Sequence, residues 1–274
     1  MIAKFCSKCV MPSTKPFITF DKNNVCNACL SHSLKSNAKK GINWSHREQE
    51  FEILVEAAKK VKAPYYDFLV PVSGGKDSLT QIHYLLERGL RILAMTVDYG
   101  IKTEIGKTNL EIVTHKQGVD LISLRPNMIL HKKTIRYGLE MYGDPDLMSH
   151  TLIHAYPLRV ALNYKIPYVF LGENSAFEYG GNKKLAERKN INSEWFYSYA
   201  CSNGMTPEKL AKEMGISYEK FKIYDFPFEM DSSDCNCKGV FSSYFHFWDS
   251  ESNLEIAKKY GFQTSDIPIE GTYR

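Results

Sequence analysis

The sequence predicts an α/β protein built as a doubly wound parallel sheet, with a small metal-binding ribbon ahead of it. Three observations carry that expectation. Apolar runs of strand length alternate with amphipathic stretches from Tyr65 to Leu171, a glycine-rich turn joins the first strand to the first helix of that series, and two Cys-x-x-Cys pairs stand near the N-terminus. The 274 residues, 43% hydrophobic and 24% charged, describe a globular chain long enough to bury a sizeable core. No apolar run approaches bilayer length, and the opening Met1-Ile-Ala-Lys-Phe-Cys6 lacks the apolar stretch of a signal peptide. A cytoplasmic protein without membrane contact is therefore expected.

Taken in order, the chain opens with Cys6-x-x-Cys9 and, after sixteen intervening residues, Cys26-x-x-Cys29. That spacing fits a zinc site of four thiolates closing a tetrahedron, with no position left for water and hence a structural role. Two disulfides are disfavoured in a cytosolic chain, and the spacing does not exclude an iron–sulfur centre. Phe17–Phe20 followed by Asp21-Lys-Asn-Asn24 reads as the short strand and turn of a zinc ribbon. Residues 1–60 hold ten Lys or Arg against five Asp or Glu, so they carry +5 of a total of +4 and the remainder sums to −1. A solvated basic surface accounts for so small an excess, and no nucleic-acid partner is expected.

The proposed division is a ribbon module over 1–44, a linking helix over 45–64, a nucleotide-binding core over 65–200 and a C-terminal substrate or partner region over 201–274. Phe51, Leu54, Val55 and Ala58 mark the apolar face of the linking helix. Tyr65 to Val72 is the first strand, and a helix from about Asp77 follows with Leu79, Ile82, Leu85 and Leu86 inward. Arg91–Val97, Leu121–Leu124 and Pro167–Leu171 are the next strands, with helical patterns over Thr103–Gln117, Lys132–Tyr142 and Leu152–Lys165 between them. Ligands on such sheets bind beyond the carboxyl ends of the strands. Ser73–Ser78, Asp98-Tyr99-Gly100 and Gly172-Glu173-Asn174 should thus meet in one cleft. Farther on, Thr206 and Pro207 start a helix to Met214, Phe221–Phe228 reads as a strand, and Cys235-x-Cys237 reads as an unligated pair. The aromatic run Tyr244, Phe245, Phe247 and Trp248 is expected to be buried.

The first strand-to-helix turn, Ser73-Gly74-Gly75-Lys76-Asp77-Ser78, can aim several backbone N–H groups at one anion, where the helix dipole adds to the attraction. It is neither the Walker pattern nor the dinucleotide fingerprint. It resembles the pyrophosphate loop of the PP-loop ATP pyrophosphatases, which split ATP between the α and β phosphates, adenylate a substrate oxygen and let a nucleophile expel AMP. The resemblance implies an adenine nucleotide alpha hydrolase-like, HUP-type sheet. It also implies ATP held by Ser73, Gly74, Gly75, Lys76, Asp77 and Ser78, with Val97, Asp98 and Gly172 at the adenosine. Mg2+ would be shared by Asp77 and Glu173, and Lys76, Asp77 and Glu173 would carry the catalysis.

A narrower resemblance rests on Gly172-Glu173-Asn174-Ser175-Ala176-Phe177-Glu178-Tyr179-Gly180-Gly181, on Cys9-Val10-Met11-Pro12 and on Glu270-Gly271-Thr272-Tyr273-Arg274. Together these resemble the N-acetyl sugar amidotransferases of bacterial surface polysaccharide and flagellar glycan biosynthesis. Such an enzyme would adenylate the acetamido oxygen of a nucleotide-activated N-acetyl sugar and replace it with ammonia. Asn174, Glu178, Tyr179, Gly180 and Gly181 would then face the sugar, with His150, His154 and Glu178 as proton-handling candidates by residue type. No G-x-C-x-G elbow is present, position 2 is Ile2, and Cys201 lies in Tyr-Ala-Cys-Ser-Asn, so a separate glutaminase subunit is expected to supply ammonia. Homo-oligomerisation stays open. The rival is a tRNA-thiolating sulfurtransferase of the same superfamily, against which stands the lack of any cysteine between Cys29 and Cys201.

Overall fold

Two short apolar runs, Phe68–Pro71 (β1) and Ile92–Val97 (β2), lie at the centre of the protein, β1 buried up to Pro71 and β2 up to Val97. The computed structural model describes residues 3–36 and 41–265; the Glu270–Arg274 motif lies outside them. Asp120–Leu124 (β3), Tyr168–Leu171 (β4) and Lys238–Phe241 (β5) complete a five-stranded sheet in the order β3-β2-β1-β4-β5, and every pairing is parallel. A parallel sheet needs cover on both faces, which is why β1 and β2 read as continuous apolar runs.

Successive residues of β1 supply the two faces. Leu69 joins Leu93, Val169 and Leu171 under Leu158 and Ala161 of α6 (Ser149–Asn163), while Phe68 and Val70 join Ala94 and Phe170 on the opposite side. That second face is covered by α2 (Trp44–Val61) through Phe51 and Val55, α3 (Lys76–Leu86) through Leu79 and Ile82, and α4 (Glu104–His115) through Ile112 and Val113. α1 (Asn27–Ser36) precedes them and carries Cys29. α5 (Met128–Tyr142) begins four residues before the sequence pattern suggests, because the Asn127 side chain accepts from the Ile129 and Leu130 amides. The chain order places β1 between β2 and β4, so the crossovers diverge there and open a crevice above the sheet.

Beyond β4 the chain forms short turns, α7 (Ser175–Glu178), α8 (Lys183–Ala186) and α9 (Ser193–Trp195), before α10 (Pro207–Glu213), capped by Thr206 as expected. The strand expected at Phe221–Phe228 is absent: 3-10 turns occupy Tyr218–Lys220 and Lys222–Tyr224. Buried Asp225 gathers the hydroxyls of Tyr197 and Tyr218, each at 2.5 Å, and the Phe226 amide, which bends the run out of extended form. The fifth strand is instead β5, at Lys238–Phe241. The sheet therefore continues past residue 200. Gly239 permits β5 to pack there, since a Cβ would lie 2.4 Å from Ile191. α11 (Ser242–Phe245) follows, and α12 (Ser250–Lys259), which the sequence reading did not anticipate, lies on α3, where Thr80 donates to the Asn253 carbonyl at 3.1 Å.

In the N-terminal module the expected Phe17–Phe20 strand is reduced to one bridge between Phe20 and Cys26. Among the described residues no helix is long and apolar enough to cross a membrane.

Candidate active site

The glycine turn after β1 is set by sterics as much as by sequence. Gly74 has φ +83, and a Cβ there would meet the Gly106 carbonyl of α4 at 2.9 Å, so neither the backbone nor the space admits a side chain. The Gly75 amide donates to Ser73 Oγ at 3.2 Å and Ser78 Oγ donates back to the Gly75 carbonyl at 2.9 Å. Gly75 is the N-cap of α3 and no side chain caps that end, which leaves its first amides for an anion. Lys76 Nζ reaches both Asp77 carboxylate oxygens, at 2.8 and 2.9 Å, and lies over the Trp248 ring, while Asn253 Nδ2 from α12 donates to Asp77 at 3.0 Å.

These groups open on a cavity of about 660 Å3 at the carboxyl ends of β1, β2 and β4. Ser73, Asp77, Ser78, Val97, Gly172 and Glu173 line it, so the sheet brings the expected elements together. A volume of that order accommodates a nucleotide. Trp248 also lines the cavity and is not withdrawn into the core. Gln81 and Thr96 are further wall residues, with Gln81 Oε1 and Thr96 Oγ1 buried and without a hydrogen-bond partner among the described residues. Sequence reasoning missed both, although a glutamine on the apolar face of α3 and a threonine inside the β2 run were visible signals.

Asp98 does not line the cavity. Its carboxylate is taken by Arg125, by Lys102 at 3.5 Å and by the Gly100 amide at 2.9 Å, and the Arg125 guanidinium and then that amide hold its pKa down to about 2. It ties the loop after β2 together. The residues expected at a sugar are also engaged elsewhere. Asn174 is buried, its Nδ2 donating to the Leu185 and Arg188 carbonyls and its Oδ1 accepting from the Ala176 amide and Trp195 Nε1. Glu178 pairs with Lys35 of α1, and the Gly180 and Gly181 carbonyls accept from Lys15 and Asn27. Tyr179 alone of that block reaches a cavity residue, its hydroxyl donating to Glu173 Oε1 at 3.1 Å. Burial and then the Glu173 charge raise the Tyr179 pKa, so the phenol stays protonated as the donor.

Two imidazoles of α6 complete the wall. His154 Nδ1 lies 2.9 Å from the His150 carbonyl, and a carbonyl only accepts, so Nδ1 carries the proton and Nε2 the lone pair in a ring that lines the cavity. Burial, and then His150, lower the His154 pKa to about 3. The ring is neutral throughout the physiological range.

The four N-terminal thiols lie within 4.8 Å of one another. The Cys6–Cys29 and Cys9–Cys26 sulfurs are 3.9 and 3.5 Å apart, near the roughly 3.8 Å edge of a tetrahedron with Zn–S of about 2.3 Å and far beyond disulfide length. The Lys8 and Cys26 amides point at Cys6 Sγ, at 3.4 and 3.2 Å. Burial opposes ionisation of Cys6, but the Cys9, Cys26 and Lys8 backbone groups outweigh it and draw the thiol down to about 6. Such a donor set can hold a metal ion. Cys235 and Cys237 join no such cluster among the described residues.

Residues 67–138, which span β1, the glycine turn and the segment through α5, match the family model of the queuosine biosynthesis protein QueC. That supports the PP-loop ATP pyrophosphatase superfamily. The PP-loop match stops short of Glu173 and of the cysteine module, so it bears on the nucleotide side of the cavity and suggests an ATP-using, adenylating enzyme. The structure of NMN synthetase from Francisella tularensis aligns over 83% of this chain and 99% of its own at 12% identity and a TM-score of 0.37. No curated protein sequence matches the chain.

Proposed function

We propose that the protein is an ATP-dependent amidotransferase that converts the acetamido group of an N-acetyl sugar to an acetamidino group, releasing AMP and pyrophosphate. The observation that carries this reading is the joint placement, around one cavity, of the Ser73–Ser78 loop, two carboxylates and a neutral imidazole acceptor. Gly74, Gly75 and the uncapped start of α3 would receive the β and γ phosphates. Val97 and Gly172 would border the adenosine. Asp77 and Glu173 would hold Mg2+, which offsets charge on the pyrophosphate as it leaves. Lys76, freed from Asp77, would follow that same charge.

The acetamido oxygen attacks the α phosphorus and pyrophosphate departs, leaving an O-adenylyl imidate. Ammonia adds to the imidate carbon, AMP leaves with the oxygen, and the surplus proton passes to an acceptor. Water or the strongly basic amidine product takes that proton, because His154, with its pKa lowered to about 3, is too weak a base. Its neutral ring would instead serve as a hydrogen-bonding wall group. A separate glutaminase subunit in the same cytoplasmic compartment would deliver the ammonia, and the four cysteines would hold a structural zinc ion.

The rival tRNA-thiolation reading draws on the basic N-terminal segment and on the matching family's name, which concerns a modified nucleoside. The described wall of the cavity carries imidazoles and carboxylates and no thiol, which favours nitrogen over sulfur transfer. The deciding assay follows AMP and pyrophosphate from labelled ATP with ammonium and UDP-linked N-acetyl sugars, beside tRNA with a sulfur donor. Sugar- and ammonium-dependent AMP supports the amidotransferase. Stimulation by tRNA alone, or release of ADP and orthophosphate, overturns it.

A further inference from the structure

The far end of the turn that follows Glu173, from Glu178 to Gly181, is held by the cysteine module, more than 140 residues away in sequence. Glu178 pairs with Lys35, which is 6% exposed and also lies 5.1 Å from the Phe177 ring centroid. Lys15 Nζ donates to the Gly180 carbonyl at 3.1 Å, and Asn27 Nδ2 to the Gly181 carbonyl at 3.5 Å. The two glycines are required by that docking. Gly180 has φ +77 and a Cβ there would lie 2.5 Å from Asn27 Oδ1, while one on Gly181 would lie 2.3 Å from the Tyr199 hydroxyl, whose ring packs on Phe17 at 5.4 Å.

The module can present those groups only when it is itself ordered. Its apolar core is small: Cys6, Cys26 and Ala28, with Met11, Ile18 and Phe20 packed against them. A module of that size takes much of its folding energy from the metal. Asn27 follows Cys26 directly and opens α1, Cys29 lies in the first turn of that helix, and Lys35 lies in its last. Ligation at the two cysteines therefore sets the direction of the helix that carries Asn27 and Lys35. At the other end of the contact, Tyr179 stands between latched Glu178 and Gly180 and gives its hydroxyl to Glu173.

We infer that the metal module is a positioning device for the catalytic cavity: by clamping Glu178, Gly180 and Gly181 it fixes Tyr179, and through Tyr179 it orients Glu173. Metal at the four cysteines and cation binding at Asp77 and Glu173 are then coupled. The Glu178-Tyr179-Gly180-Gly181 stretch is a latch for the module, with Lys35, Lys15 and Asn27 as its keepers. The catalytic part of this inference rests on the role proposed above for Glu173; the mechanical part does not.

Two measurements on the full-length protein test the two parts separately. Hydrogen exchange is recorded with the metal bound and after its removal by a chelator. Exchange of peptides covering 174–181 is expected to rise on the order of tenfold on metal removal while peptides covering 70–86 stay unchanged, as for a local opening. Unchanged exchange at 174–181 with the module itself unfolded overturns the inference, whether or not the protein cleaves ATP. Pyrophosphate release is then titrated with Mg2+. Y179F is expected to raise the half-activating Mg2+ concentration on the order of tenfold, the effect of one hydrogen bond to a charged group, with KM for ATP unchanged. K35M should do the same and K35R should restore the wild-type value, a pattern that general destabilisation would not produce. Equal Mg2+ dependence in Y179F and wild type also overturns it.

Discussion

The two walls of the candidate active site are built in opposite ways. The backbone of the Ser73–Ser78 wall is shaped mainly by its own residues: Ser73, Gly75 and Ser78 bond among themselves and one left-handed glycine presses against α4. Distant chain reaches only the Lys76 and Asp77 side chains, through Trp248 and Asn253. The Glu173–Gly181 wall is assembled from elsewhere, with Ser243 on the Asn174 amide, Trp195 on its side chain, and Lys15, Asn27 and Lys35 on the turn beyond. A phosphate-binding loop needs only backbone amides, which a short segment can supply by itself. A carboxylate that must hold one direction in a cavity needs its turn braced, and bracing comes from distant chain.

The largest effect that would sharpen this contrast is expected at the Ser73–Ser78 wall. D77A should lower kcat for AMP formation by about 10²–10³-fold, as removal of a preorganised electrostatic group does, with little change in circular dichroism. G74A should approach the same loss of turnover, since φ +83 and the 2.9 Å approach to Gly106 force the loop to shift, and nucleotide binding by calorimetry should fall with it. In the braced wall the effect should fall on stability instead. N174A removes the acceptor of the Trp195 indole and of the Ala176 amide and should cost about 3 kcal/mol or more in urea unfolding. If D77A unfolds the protein and N174A does not, the contrast fails.

A smaller effect is expected at His154. Its folded pKa lies below the roughly 6.5 of an unfolded histidine, so the unfolded chain binds the extra proton as pH falls. The stability it contributes is present above about pH 6.5 and is lost as pH falls toward about 3. H154Q should therefore flatten the loss of stability between those limits. It should also lower kcat without moving any limb of the pH profile between pH 5 and 8, because His154 does not titrate there. A wild-type acid limb near pH 6.5 that vanishes in H154Q would contradict the neutral-ring assignment. The smallest effect belongs to D98N, which weakens the tie to Arg125 outside the cavity and should change kcat by less than about threefold, as for an exposed ion pair.

Some of this arrangement was legible in the sequence and some was not. The loop, the first four strands and α2 were read within a few residues because each is written in a local pattern of glycine, apolar run or helical spacing. Phe221–Phe228 was misread because its apolar content fits a strand as well as it fits a buried turn, and Asp225, recruiting Tyr197 and Tyr218, decided between them. Asp98 was placed at the nucleotide by position at the end of β2, where no pattern reveals that Arg125 and Lys102 have already taken its charge. The Glu178–Gly181 block was expected at the sugar, whereas its side chains and carbonyls largely face the cysteine module.

From the sequence alone came the α/β class, the anion-binding turn and a four-cysteine donor set, since each depends on residues within a few positions of one another or on a fixed spacing. Tertiary structure alone decided that α12 brings Asn253 to Asp77, that β5 closes the sheet beside β4, and that α1 sets Lys35 on Glu178. Those contacts join residues more than sixty positions apart, up to 176. No periodicity in a chain names the partner of a side chain at that distance; only packing brings the two together.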